Sequence, residues 1–324
     1  MEGAPTLAGV FEARRRIAGL ALATPLLPAE SLTRRADAEV LLKLETVQPT
    51  GSFKIRGAAN ALLSLGDDER RRGVVTASTG NHGRAVAYAA RALGIPATVC
   101  LSSLVPEPKA QAIAELGAAV RRVGRSQDEA MAEAARVVAA EGLVEVPPFD
   151  DVSVIEGQGT IGLELLEARP DLRAILVPLS GGGLAGGIAL AAKSIKPALR
   201  VIGISMEAGA AMQASLAAGR PVEVTEAPTL ADSLGGGIGL ANRWTFALCR
   251  RLLDDVILVS ESEIARGMAY FLFEERLVAE GAGAVTAAAI LARKLALDGP
   301  AALIVSGRNV EPERIAAIAA TSFT

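Results

Sequence analysis

The sequence is poor in the residues that carry most acid–base and metal chemistry. Its 324 residues include one histidine, His82, and two cysteines, Cys100 and Cys249, and aromatic residues make up only 3%. A metal centre built from clustered histidine and cysteine is excluded by count. Two cysteines so far apart do not make a disulfide scaffold, and reduced thiols are expected. A hydrolase triad would have to route every proton through His82. An excess of one charge is missing too: 33 Lys and Arg against 36 Asp and Glu leave a formal charge of −3, which argues against nucleic acid as a partner. Stacking platforms for single-stranded bases are not expected with so few rings. Long apolar runs are also absent. No uninterrupted stretch nears the roughly 20 residues of a membrane helix, and charges interrupt the first residues where a signal peptide would need its apolar core. The expectation is a soluble, cytoplasmic protein with no membrane partner. Difficult chemistry would then need an imported reagent.

What is present is aliphatic. Hydrophobic residues reach 51%, so the core must be built from Ala, Val, Leu and Ile. Short β-branched runs at 40–44, 73–77, 97–101, 119–123, 143–146, 174–178, 201–205, 256–259 and 302–306 predict strands. Ala-, Arg- and Glu-rich stretches at 81–93, 108–116, 126–141 and 261–275 predict helices between them. The alternation predicts an α/β fold of two domains, each a mainly parallel twisted sheet flanked by helices. Breaks at Pro147-Pro148 and around Gly51 suggest that residues 53–149 form a smaller domain inserted into a larger one made of 1–52 and 150–324.

In such sheets ligands collect where strands end and helices begin. The stretch from Ile175 through Ser180-Gly181-Gly182-Gly183-Leu184 to Gly187 reads as a strand, a glycine-rich turn and a helix. Its backbone could wrap a phosphate at the positive end of that helix. The same loop matches a dinucleotide fingerprint at Gly181, Gly183 and Gly186, with Glu207 ending the next strand, and it could also be a flexible turn. Lys54 opens a helix in Thr50-Gly51-Ser52-Phe53-Lys54-Ile55-Arg56-Gly57. It reads either as a solvated lysine beside Arg56 or as an amine with a lowered pKa, suited to forming an imine. The segment Ser78-Thr79-Gly80-Asn81-His82-Gly83 offers hydroxyls, a carboxamide and successive N–H groups at a helix start. That suits a carboxylate, or an ordinary N-cap.

These segments, together with Gly157-Gln158-Gly159-Thr160 and Ser306-Gly307-Arg308-Asn309, occur in an order that resembles the pyridoxal-phosphate enzymes of fold type II, in the threonine/serine dehydratase and serine racemase group. The resemblance runs from about Leu26 to Asn309. Within the group, the stretches 205–212 and 229–240 look like the hydroxyectoine-utilisation dehydratase branch. The resemblance implies pyridoxal 5'-phosphate as cofactor, held covalently by Lys54, whose freed amine would then take the substrate Cα proton. Phe53 would pack on the cofactor ring, and Asn81 would bond its phenolic oxygen. Ser180, Gly181, Gly182, Gly183 and Leu184 would take its phosphate, and Ser306 would face the ring nitrogen. Ser78, Thr79, Gly80, Asn81, His82 and Gln158 would bind the substrate, mainly through the backbone of the 78–82 loop.

A neutral hydroxyl opposite the ring nitrogen, in place of a carboxylate, limits the life of the carbanion and favours prompt loss of a β-substituent. The implied reaction is α,β-elimination, a dehydration and deamination of a β-hydroxy amino acid such as L-threonine or L-serine, giving a 2-oxo acid and ammonia. Racemisation on the same scaffold is the alternative, because Thr79 stands where the racemase has a catalytic serine. A nicotinamide oxidoreductase is the more remote one. Racemase-type relatives hold a cation after the strand equivalent to 201–205, where this chain has Ser205, Gly209 and Ala211 beside Glu207, so no metal site is expected. A homodimer is the state the resemblance implies.

Overall fold

The computed structural model describes residues 3–78, 80–105, 107–125 and 127–321. Among them, ten strands fall into two sheets: β1 (Leu26–Pro28), β2 (Val40–Leu44), β3 (Val74–Ala77), β4 (Ala97–Ser102), β5 (Ala119–Val123), β6 (Val144–Glu145), β7 (Ala174–Pro178), β8 (Arg200–Met206), β9 (Asp255–Val259) and β10 (Ala301–Val305). The larger sheet has the order β1-β2-β10-β7-β8-β9, and the smaller has β5-β4-β3-β6. Every pairing is parallel except that of β1 with β2. The expected α/β architecture is therefore present, with parallel sheets covered by helices. Strands β2, β7 and β10 are buried at every residue, because helices cover both faces of a parallel sheet.

Several elements depart from the expectation. Strand β1 carries no readable alternation: it is three residues long, ends in proline and lies largely exposed at a sheet edge. The helix Val152–Ala168 lies where the sequence named no helix, and it carries glycines at 157, 159 and 162. Packing explains them. A Cβ on Gly157 would lie 2.5 Å from the carbonyl oxygen of Arg56, and one on Gly159 would lie 2.9 Å from that of Gly187. The missing side chains let this helix lie backbone to backbone between the helices Lys54–Leu63 and Gly183–Ile195. Tertiary contact here outweighs the helix-breaking cost of glycine, about 1 kcal/mol each. The helix expected over 261–275 runs as α only to Tyr270 and finishes as a π turn, Phe271–Glu275.

One buried ion cluster ties these layers together. The Arg56 guanidinium, 1% exposed, grips Glu45 through Nε and Nη2 at 2.8 Å each, and Glu164 through Nη1 at 2.5 Å and Nη2 at 3.0 Å. Lys43 on β2 donates to Glu164 at 2.5 Å and to the Thr24 carbonyl at 2.6 Å. Two cations thus meet two carboxylates. Burial opposes the charge on Arg56, but Glu45 and Glu164 outweigh it and raise the guanidinium pKa; burial likewise opposes ionisation of Glu164, which Arg56 and Lys43 hold below the usual carboxylate range. Arg56 lies two residues from Lys54, so the cluster clamps the lysine helix to the large sheet and to Val152–Ala168. Replacing Arg56 by Met leaves the buried Glu45 without a cation and Glu164 with Lys43 alone, and is expected to cost about 3–5 kcal/mol, read as a lower midpoint in urea unfolding. An unchanged midpoint would show that the cluster does not hold the fold.

Candidate functional site

Four segments converge where the strands end. Strand β7 runs into the loop 179–182 and the helix Gly183–Ile195, and β3 is followed in the chain by the helix Asn81–Leu93. Strand β10 delivers Ser306. The lysine segment is stitched to that end: Ser52 bridges Gly307, the Phe53 N–H donates to the Ser306 carbonyl at 3.0 Å, and the Arg308 N–H donates to Gly51 at 2.9 Å. Because β10 and the lysine segment share these bonds, Lys54 and Ser306 enter one cavity. Phe53, Lys54, Asn81, Gln158, Ser180, Gly181, Gly182, Gly183, Leu184 and Ser306 all line it. Gly80 lines a second cleft just outside, whereas Ser78 and His82 line neither. Thr79 lies outside the described residues.

The Lys54 amine donates to the Pro148 carbonyl at 2.7 Å and sits 5.3 Å from the centre of the Phe53 ring. Loss of hydration pushes its pKa down to about 8, against the pull of the Glu280 carboxylate. Its company is therefore buried charge and not a solvated face, and Arg56 is turned away into the ion cluster. Across the cavity the glycine loop is shaped by contact. A Cβ on Gly181 would lie 2.4 Å from the Phe149 ring, and Gly182 has φ +87°, a left-handed conformation that side chains avoid. The buried helix that follows starts at Gly183, which with Leu184 lines the same space, and the first-turn N–H groups of a helix are free to meet an anion.

Asn81 is held from both ends. Its Nδ2 donates to Glu280 at 2.8 Å, and its Oδ1 accepts from Asn309 Nδ2 at 2.5 Å. Glu280 also accepts from the Asn309 backbone N–H at 3.0 Å. Burial, reinforced by the nearby Asp232 charge, pushes the Glu280 pKa up to about 7, although Asn81, Asn309 and Ser233 bond its ionised form. Sequence reasoning missed Glu280. The available signal was a lone carboxylate opening the wholly small and apolar run Glu280-Gly281-Ala282-Gly283-Ala284. Gly283 matters to the same corner, since a Cβ there would lie 2.7 Å from the Gly307 carbonyl and push away the end of β10. His82 is turned elsewhere: its Nε2 lies 2.9 Å from the Val146 carbonyl. Burial and the Lys54 charge push its pKa down to about 3, against that carbonyl's pull, so the imidazole is neutral.

Gln158 is 1% exposed, and both atoms of its amide lack a partner. Such a buried amide is costly unless a ligand completes it. A buried amine with a lowered pKa, a glycine cradle at a helix start, a neutral serine and an unfilled amide together fit a phosphorylated aldehyde. Comparison with known proteins agrees. The profile of the family described as pyridoxal-phosphate dependent enzymes matches residues 17–307. The chain belongs to that family. It is 54% identical over 307 residues to a putative threonine dehydratase of Sinorhizobium fredii, covering 94% of this chain and 92% of that one. An L-threonine ammonia-lyase of Thermotoga maritima is 42% identical, over 96% of this chain and 77% of that one. The structure of maize serine racemase superimposes with a TM-score of 0.92 at 33% identity, covering 99% and 98% of the two chains. The fold type II assignment and the pyridoxal-phosphate requirement both hold. The dinucleotide reading of the glycine loop gives way, and Glu207, which it needed for a ribose, is instead paired with Lys294 at 3.3 Å.

Imine formation needs the unprotonated amine. Cofactor uptake by the cofactor-free protein, followed by visible absorption, is therefore expected to speed up as pH rises, with a midpoint near the Lys54 value of about 8. Glu280→Gln removes the carboxylate that raises that value, so the midpoint should move to lower pH. A midpoint that stays put, or moves upward, would remove Glu280 from the control of Lys54.

Proposed function

We propose that the protein eliminates water from a β-hydroxy amino acid, L-threonine or L-serine in the first instance, to give an enamine whose hydrolysis takes the water back and releases ammonia, leaving a 2-oxo acid. The observation that carries the reading is the meeting of Lys54, the Ser180–Leu184 loop and the uncharged Ser306 on one cavity. Relatives named as a threonine dehydratase and an L-threonine ammonia-lyase support the substrate class. When bound, pyridoxal phosphate supplies the electron sink that makes the substrate Cα–H acidic. The N–H groups of the glycine loop hold its phosphate, and Phe53 and Asn81 position its ring. Lys54 takes up and returns the Cα proton, and its lowered pKa leaves a usable fraction of free amine at neutral pH. The backbone of the 78–82 loop, with Thr79 and Gln158, holds the substrate. Ser306 offers the ring nitrogen a hydroxyl with no charge to keep it protonated.

The two separate sheets support the division into a unit of residues 53–149 that carries the carboxylate loop and a unit of 1–52 and 150–324 that carries the cofactor. The assembly that goes with this reading is a cytoplasmic homodimer. Racemisation is the second reading, favoured by the likeness to maize serine racemase.

Incubation with the cofactor should give a visible band that borohydride removes, with ammonia released from L-threonine and L-serine. Lys54→Ala should form no such band and lose roughly a thousandfold or more in turnover. A wild-type protein that stays colourless would end the proposal, and D-serine as the main product of L-serine would move it to the racemase.

A further inference from the structure

A second cleft of about 360 Å³ opens outside the cofactor cavity. Asn81 and Ser233 line both, so the two spaces share a wall. Five charged side chains face it: Arg84, Lys109, Asp232, Arg308 and Glu311. Three of them satisfy each other. The Lys109 amine lies 2.7 Å from Glu311 and 3.5 Å from Asp232. That leaves two guanidinium groups, Arg84 and Arg308, with no carboxylate partner among the described residues.

Their situations differ in a telling way. The Nε of Arg84 is buried and makes no hydrogen bond. A buried donor left unpaired is costly, and the cost is recovered only when an acceptor arrives. Arg84 belongs to the first turn of the helix Asn81–Leu93, just past the loop proposed to hold the α-carboxylate. Arg308 follows Gly307 at the end of β10, on the Ser306 side, and is exposed. A substrate seated between Lys54 and the 78–82 loop therefore has one cation on each of two strand ends facing its outward portion. Guanidinium forks match carboxylates bidentately and have nothing to offer a methyl group.

We propose that the outer cleft selects substrates bearing a second anionic group on the β-carbon, a carboxylate in the first instance, with Arg84 and Arg308 as the residues that set this preference. The proposal rests on the β-elimination reading and names its substrate class: β-hydroxy amino acids that are dicarboxylic, such as 3-hydroxyaspartate. The short neutral side chain of threonine would leave both guanidinium groups unpaired, and a site built for hydrogen-bonded recognition discriminates against a substrate that lacks the matching group.

The test compares ammonia release from L-threo-3-hydroxyaspartate and L-threonine by the cofactor-loaded protein, its Arg84→Gln and Arg308→Gln variants, and inhibition of each by succinate and butyrate. Arg308 is exposed, so its variant keeps the test standing if Arg84→Gln fails to fold. The expected result is a kcat/KM ratio favouring the dicarboxylic substrate roughly tenfold or more, with succinate the stronger inhibitor. Each substitution should reduce both preferences by about tenfold, the usual weight of one charge-assisted hydrogen bond. A ratio that favours threonine and does not respond to Arg308→Gln would overturn the proposal while leaving β-elimination intact. Equal losses on both substrates would also overturn it, because the arginines would then serve the α-carboxylate. If neither substrate releases ammonia from protein that shows the cofactor's visible band, β-elimination itself falls and this proposal with it.

Discussion

A guanidinium with no water around it must find its acceptors within the protein, and Arg56 finds two carboxylates. Glu45 follows β2, Glu164 lies on the helix Val152–Ala168, and Arg56 is in the first turn of the lysine helix. Separating any of these elements would expose an unpaired charge to an apolar interior, at a cost of several kcal/mol. The position of Lys54 follows from this clamp together with the Ser52–Gly307 bridge, which fixes the other end of the same segment. Glycines at 157 and 159 complete the arrangement by letting three helices approach closely enough for the ions to meet.

The electrostatics of the cavity follow from the same shortage of water. Desolvation lowers the pKa of Lys54 and raises that of Glu280, so two opposite groups are both brought toward neutrality near physiological pH. Glu280 in turn holds one end of Asn81 while Asn309 holds the other, and a carboxamide fixed at both ends keeps its orientation. The only histidine takes no such part. His82 is neutral and directed at the Val146 carbonyl, so its contribution is to hold the smaller sheet against the loop beside it. A protein with little acid–base equipment thus concentrates what it has: one amine, one carboxyl and a ring of oriented amides around a reagent taken from outside.

The chain order of apolar runs was enough to locate nine of the ten described strands and the two-sheet α/β architecture, because buried parallel strands are continuous aliphatic segments. The glycine loop and Lys54 were legible for a similar reason, since a phosphate cradle and an imine-forming amine need particular residues in particular local settings. Glu280, Glu45 and Glu164 were not. A carboxylate reads as a surface residue unless something outside its own segment reveals that it is buried, and its partners lie far away in sequence. Arg56 invited the same misreading, as a solvated neighbour of Lys54.

What the sequence determined by itself was therefore the set of elements, the candidate cofactor and the residues whose chemistry is local. Tertiary structure alone decided which charges lose their water. It paired Arg56 with Glu45 and Glu164, placed Glu280 beside Asn81 and Lys54, and left Arg84 and Arg308 facing an open cleft. The physical reason is that desolvation and Coulomb energy depend on distances through space, and spacing along a chain does not encode them until the sheets have closed around the site.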